Sequence, residues 1–124
     1  MKKILFIEDE EALQRTMGDM LKEHGYKLFS ALDGDAGIAL AKDTMPDLIL
    51  LDLVLPKKDG FEVLEHLRKD PTTKDIPVMV LTNLVEGADV ERVLSLGATT
   101  YLVKANYSLQ DIFAKIQAVL NHRP

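Results

Sequence analysis

The sequence predicts an α/β protein built on a five-stranded parallel sheet. Two observations carry this. Short apolar runs alternate along the whole chain with longer segments of helical period, the signature of βα units. The first, third, fourth and fifth runs also end in a polar or charged residue, as expected where parallel strands deliver their C-terminal ends to one shared edge. The expected strands are Lys3 to Ile7, Lys27 to Ala31, Leu48 to Leu51, Val78 to Leu81 and Tyr101 to Val103. Between them, Leu13, Met17, Met20 and Leu21 fall at helical spacing, as do Phe61, Leu64 and Leu67. So do Leu109, Ile112, Phe113, Ile116 and Leu120, in a helix opened by Ser108 with Asp111 three residues on, a close variant of the capping box. A further helix is expected over Ala88 to Leu96. The least defined one follows "LDGDAG", where Ala36, Ile38, Ala39 and Leu40 mark no clean face.

A length of 124 residues suits one domain, taken as 1–124, with chain for a single sizeable core. The apolar fraction of 47% is ordinary for a globular chain, and no run approaches the roughly 20 apolar residues of a membrane-spanning helix. "MKKILFIEDEE" carries acids directly after its apolar patch and has no small-residue cleavage site, so it reads as a first strand and not a signal peptide. No cysteine is present, which excludes disulfides and thiolate ligands and fits a reducing cytoplasm. A net charge of -5 without a basic stripe argues against direct binding to a nucleic-acid backbone.

The strand ends carry the chemistry. The first run ends in Glu8 and Asp9, the third in Asp52, the fourth in Thr82 and the fifth in Lys104. Asp52 stands within "LILLDLVLP", where an ionised group is costly unless it sits at the rim instead of in the core. Clustered carboxylates repel one another unless a cation joins them, and an all-oxygen set suits a hard ion such as Mg²⁺. One carboxylate could then attack phosphorus as a nucleophile, with the lysine and the hydroxyl holding phosphoryl oxygens. Taken singly each residue has a plainer role: Asp9 as a helix N-cap, Thr82 satisfying backbone, Tyr101 in the core, Lys104 on the surface. Gly60 is expected to permit a tight approach of loop to helix and Pro56 a turn. His24, His66 and His122 lack ligand spacing, and "DGDAG" makes no phosphate cradle.

The blocks "FIEDE", "PDLILLDLVLPKKDGFEVLEHLRK", "IPVMVLTN" and "GATTYLVK", in that order, resemble a response-regulator receiver domain, including the stand-alone chemotaxis type. The resemblance implies a flavodoxin-like, doubly wound sheet with strand order 2-1-3-4-5. It implies that Asp52 accepts a phosphoryl group from a sensor-kinase phosphohistidine or a phosphotransfer protein. It further implies Mg²⁺ held by Asp9, Asp52 and the carbonyl of Val54, with Glu8 reaching it directly or, as its extra methylene favours, through water. Thr82 and Lys104 would bind the phosphoryl group and Tyr101 would be the switch aromatic. The signal would leave through the fourth helix, fifth strand and fifth helix toward a downstream protein, from a monomer or a weak phosphorylation-dependent dimer. Ala105 stands where the family usually has a proline after a cis bond; a cis bond before alanine costs about 2.5 to 4 kcal/mol, so either strain is stored or the loop is rebuilt.

Rival functions fit less well. A nucleotide hydrolase would need a G-x-x-x-x-G-K-[ST] loop, which is missing. A haloacid-dehalogenase-type phosphatase wants a second acid where Val54 stands, and a flavin site would be repelled by "EDEEA". A receiver-like interaction module that no longer cycles phosphate is the alternative. Val54 and Leu84, two residues beyond Asp52 and Thr82, are expected to line the mouth of the site with apolar groups. The chain is either a complete single-domain regulator or the receiver part of a longer protein, with "NHRP" as the start of a linker.

Overall fold

The computed structural model describes residues 1–83 and 87–121. The strands are β1 (Lys3–Ile7), β2 (Lys27–Ala31), β3 (Leu48–Leu51), β4 (Val78–Thr82) and β5 (Thr100–Val103). The helices are α1 (Glu11–Glu23), α2 (Gly34–Thr44), α3 (Gly60–Lys69), α4 (Gly87–Ser95) and α5 (Leu109–Asn121), with a 3-10 turn at Lys104–Asn106. All strand pairs are parallel, in the order β2-β1-β3-β4-β5. This is the doubly wound sheet expected. No helix among the described residues is long and apolar enough to cross a membrane.

Period-two alternation divides the strands between two cores. Ile4, Phe6, Leu48, Leu50, Met79, Leu81 and Leu102 face α1 and α5, meeting Met17, Leu21, Ile112 and Ile116. Leu5, Ile7, Ile49, Leu51, Val78 and Val80 face the other way, against Ala41, Phe61, Leu64 and Val93 of α2, α3 and α4. Covered on both faces, β1, β3 and β4 are apolar along their buried lengths, with Lys3 and Thr82 only at strand ends, and each fully buried Leu, Ile or Phe contributes about 1.5–3 kcal/mol.

The helix signals work as their chemistry suggests. Ser108 and Asp111 exchange bonds, the Asp111 N–H donating to Ser108 Oγ at 3.1 Å and the Ser108 N–H to Asp111 Oδ2 at 3.3 Å. Asp59 caps α3 by accepting from the Glu62 N–H at 2.9 Å, and Asp33 caps α2 through Ala36 at 2.8 Å. Asp9 caps nothing: the N-cap position of α1 is Glu10, whose side chain makes no capping bond. The indistinct face of α2 is explained by size, since its buried residues are Gly34, Gly37 and Ala41 and the helix packs by close approach instead of bulk. At the far end of the sheet, the Arg68 guanidinium donates to the carbonyls of Gly97, Lys74 and Ile76 at 2.9 to 3.1 Å, tying α3 to the turns that precede β4 and β5.

Gly60 admits the backbone contact that closes the β3–α3 loop. Its N–H donates to Leu53 O at 2.9 Å, and a Cβ there would stand 2.5 Å from both the Asp52 carbonyl oxygen and Leu53 Cα. Gly60→Ala should therefore lower stability by roughly 1–2 kcal/mol despite the better helix propensity of alanine, because backbone atoms must yield. Urea denaturation checks this; an unchanged midpoint would show that the loop has slack.

Candidate functional site

Strand register builds the site. Ile7 pairs with Leu51, so Glu8 and Asp52 leave adjacent strands side by side, and the Asp52 N–H donates to Ile7 O at 3.0 Å. Thr82 pairs with Val103, the residue before Lys104. Alternation then sorts the side chains: Glu8, Asp52 and Lys104 continue the columns of Phe6, Leu50 and Leu102 on the α1/α5 face. Thr82 and Tyr101 continue the opposite face, where Tyr101 packs against the second core.

Glu8, Asp9 and Asp52 bring carboxylate oxygens within 4.8 Å of one another. Lys104 Nζ donates to Asp52 Oδ2 at 2.9 Å and to Glu8 Oε1. Glu8 Oε2 accepts from the Glu10 N–H at 3.1 Å, and Asp52 Oδ1 from the Val54 N–H at 3.3 Å. Asp52 is 5% exposed and Glu8 1%, whereas Asp9 is open to solvent. Asp52 follows the last residue of β3 and so stands at the rim, but it is buried there instead of open to solvent, and the Lys104 and Val54 bonds make its burial tolerable. Glu8 likewise is directly bonded to Lys104. Thr82 is fully buried and Tyr101 half-buried.

The described residues contain no cis peptide bond, so the chain is trans before Ala105 and turns through the 3-10 segment instead. Val54 is 60% exposed; Leu84, its expected companion at the mouth, and His122 lie outside the described residues. The sequence pattern did not single out Gln14, whose Nε2 lies within 3.1 Å of the carbonyls of Phe6, Glu8 and Ala31. The available signal was a polar residue in the buried phase of α1, with Met17, Gly18 and Leu21.

As a donor set, three carboxylates against one ammonium fit a hard divalent cation: all ligands are oxygen, and negative charge is left uncompensated. The electrostatics agree. Burial pushes the Glu8 carboxyl up to about 7, opposed by its bonds from Lys104 and Glu10. Burial also acts to lower the Lys104 ammonium, but its bonds to Glu8 and Asp52 outweigh this and hold it above its usual value. Burial first, then the negative charge of Asp89 and Asp52, raises the Tyr101 hydroxyl.

A raised carboxyl binds its proton more tightly in the folded chain. The metal-free protein should therefore lose stability as pH rises from 4.5, the ordinary value for Glu8, through about 7. Glu8→Gln should flatten this slope and raise the urea midpoint above the parent's on the alkaline side. An identical slope in the variant would show that Glu8 is not its source.

Comparison with known proteins agrees with this geometry. A family model described as "Response regulator receiver domain" matches residues 4–117. The chain is 42% identical over 120 residues to the DNA-binding dual master transcriptional regulator RpaA of Synechocystis, covering 97% of this chain and 49% of that protein. It thus spans about half the length of such curated relatives; the phosphate regulon regulator PhoB of Escherichia coli, 35% identical, is covered to 52%. Among solved structures, a CheY-like receiver domain protein of Methanospirillum hungatei superposes with TM-score 0.90 at 26% identity, over 98% of this chain and 94% of that one. The receiver domain of a sensor histidine kinase from Pseudomonas aeruginosa, described with a magnesium ion coordinated in its active-site cleft, gives 0.86 at 27%, over 97% and 98%. On the family-model match over most of its length and the shared fold, this chain belongs to the response-regulator receiver domain family.

Proposed function

We propose that residues 1–124 act as one receiver domain, a phosphorylation-dependent signalling switch in which Asp52 is the phosphoacceptor. The observation that carries this reading is the bond from Lys104 Nζ to Asp52 Oδ2 at 2.9 Å, inside a cluster of three carboxylates at the strand ends. Asp9, Asp52 and the carbonyl of Val54 would hold Mg²⁺, with Glu8 completing the negative surround. Bound there, the ion would neutralise charge that otherwise keeps a phosphoryl group away.

An Asp52 oxygen attacks the phosphorus of a phosphohistidine on a sensor kinase or phosphotransfer protein. The new P–O bond forms as the P–N bond breaks, and the imidazole leaves. Lys104, already bonded to Asp52, transfers part of its hydrogen bonding to the phosphoryl oxygens. The Thr82 hydroxyl binds another of them. Tyr101, on the same face as Thr82, then turns inward, and the surface of α4, β5 and α5 shifts toward a state that a partner prefers. The chain is a regulator that assists its own phosphoryl transfer and slow loss, not an enzyme acting on a separate substrate. We place it in the cytoplasm, working as a monomer or weak phosphorylation-dependent dimer. Its net charge of -5 supports a protein as direct partner; DNA contact, as in RpaA, would belong to sequence beyond this span. The alternative, a module that no longer cycles phosphate, is disfavoured by the retained Lys104 to Asp52 bond.

Acetyl phosphate with Mg²⁺ should place one phosphoryl group on Asp52, seen by mass spectrometry and lost in Asp52→Asn. Asp9→Ala should remove the Mg²⁺ response while leaving the fold intact, since Asp9 is solvent-exposed. Equal labelling of Asp52→Asn would sink the assignment of the site, and a parent that takes no label would favour the non-cycling alternative.

Val54, exposed at the mouth, offers no hydrogen bond to a water attacking in line. Slow self-dephosphorylation is expected, and Val54→Asn should quicken the decay several-fold, about 1 kcal/mol of barrier. Decay at the parental rate would remove Val54 from control of that water.

A further inference from the structure

Gln14 is the polar residue in the core-facing stripe of α1, and it is only 7% exposed. Its Nε2 donates to Phe6 O at 2.9 Å, Glu8 O at 3.0 Å and Ala31 O at 3.1 Å. Two N–H bonds thus serve three acceptors, one of them shared. Turned over, the amide would set its oxygen against three carbonyls with no donor among them, so this orientation is the attractive one. Its Oε1 is buried without a protein partner. That orphan costs free energy, and a leucine or methionine would fill the same gap in the α1 stripe without it. What such a residue cannot do is hold the three carbonyls.

Those carbonyls define the exit of β1. The Glu8 N–H already donates to Ala31 O at 3.0 Å, so Gln14 holds the peptide that follows the Glu8 Cα while β2 holds the one that precedes it. Because Phe6 O is held as well, the backbone on both sides of Ile7 is tied to α1 just before the chain releases Glu8 inward and Asp9 outward.

We propose that Gln14 is a positioning residue for the acid pair: it fixes the backbone from which Glu8 and Asp9 project and so pre-sets the cation site. The inference rests on the reading of Glu8 and Asp9 as metal-binding groups. Groups that orient metal ligands typically contribute a factor of about 10 to 100 to affinity.

The test uses Gln14→Met, which keeps the volume, and Gln14→Glu, which replaces the donating NH₂ by oxygen. Mg²⁺ titration followed by amide resonances should show about tenfold weaker binding in both, with the urea midpoint of Gln14→Met close to the parent's. In metal-free protein, the Glu8 amide should exchange its hydrogen about tenfold faster while the Asp52 amide, bonded to Ile7 O, stays as in the parent. A purely space-filling role would leave both of these readouts unmoved in Gln14→Met, whose volume matches that of the parent. Parental Mg²⁺ affinity with parental exchange overturns the proposal, as does failure of both variants to fold, which would make Gln14 a folding determinant. If the parent binds no Mg²⁺, the metal reading fails, and the Glu8 exchange rate alone decides whether Gln14 holds that backbone.

Discussion

Parallel strands that all finish at one edge bring their terminal side chains into contact, and in this sheet two neighbouring strands both end in carboxylates. Glu8 and Asp52 emerge side by side from β1 and β3 with Asp9 near both, and their repulsion would splay the sheet ends were nothing set between them. Lys104 answers this from across the sheet, its ammonium shared by Glu8 and Asp52. One cation for three acids leaves an electrostatic deficit. That deficit favours a further cation, while the proton affinity of Glu8 comes first from its burial, with the charge of Asp52 adding to it.

The sheet also acts as a partition. Glu8, Asp52 and Lys104 project from the α1/α5 face, while Thr82 and Tyr101 belong to the face covered by α2, α3 and α4. Each group inherits its side from the parity of its strand, so a register slip of one residue would exchange the two sets and destroy the site together with the core. The apolar columns and the polar tips above them are one constraint.

The same constraint made much of the fold legible in the sequence. Strand positions could be read because buried parallel strands are apolar on both faces, and the expected and observed spans agree at β1, β2 and β3, differing only at one end of β4 and of β5. The convergence of Glu8, Asp9, Asp52, Thr82 and Lys104 on the strand-end rim came from strand ends alone. Three features did not. The face of α2 was obscure because its packing residues are glycine and alanine, which carry no hydrophobic signal. The depth of Asp52 depended on Lys104 and the Val54 N–H, contacts that close only in three dimensions. Gln14 stood in plain view as a polar residue in an apolar stripe, but its carbonyl partners come from two strands, one of them 17 residues away.

β5 is one of the two edge strands of the sheet, hydrogen-bonded to β4 alone among the strands. Moving β1 or β3 would tear two ladders and both cores, whereas moving β5 strains one ladder, and three of its four residues are only partly buried. The molecule therefore has a stiff interior and a compliant margin, with Lys104 and Tyr101 both mounted on the margin. Tyr101 thus sits on a strand held by a single ladder, with Lys104 directly after it, and the bonds of Lys104 to Glu8 and Asp52 are what fasten that margin back to the interior strands.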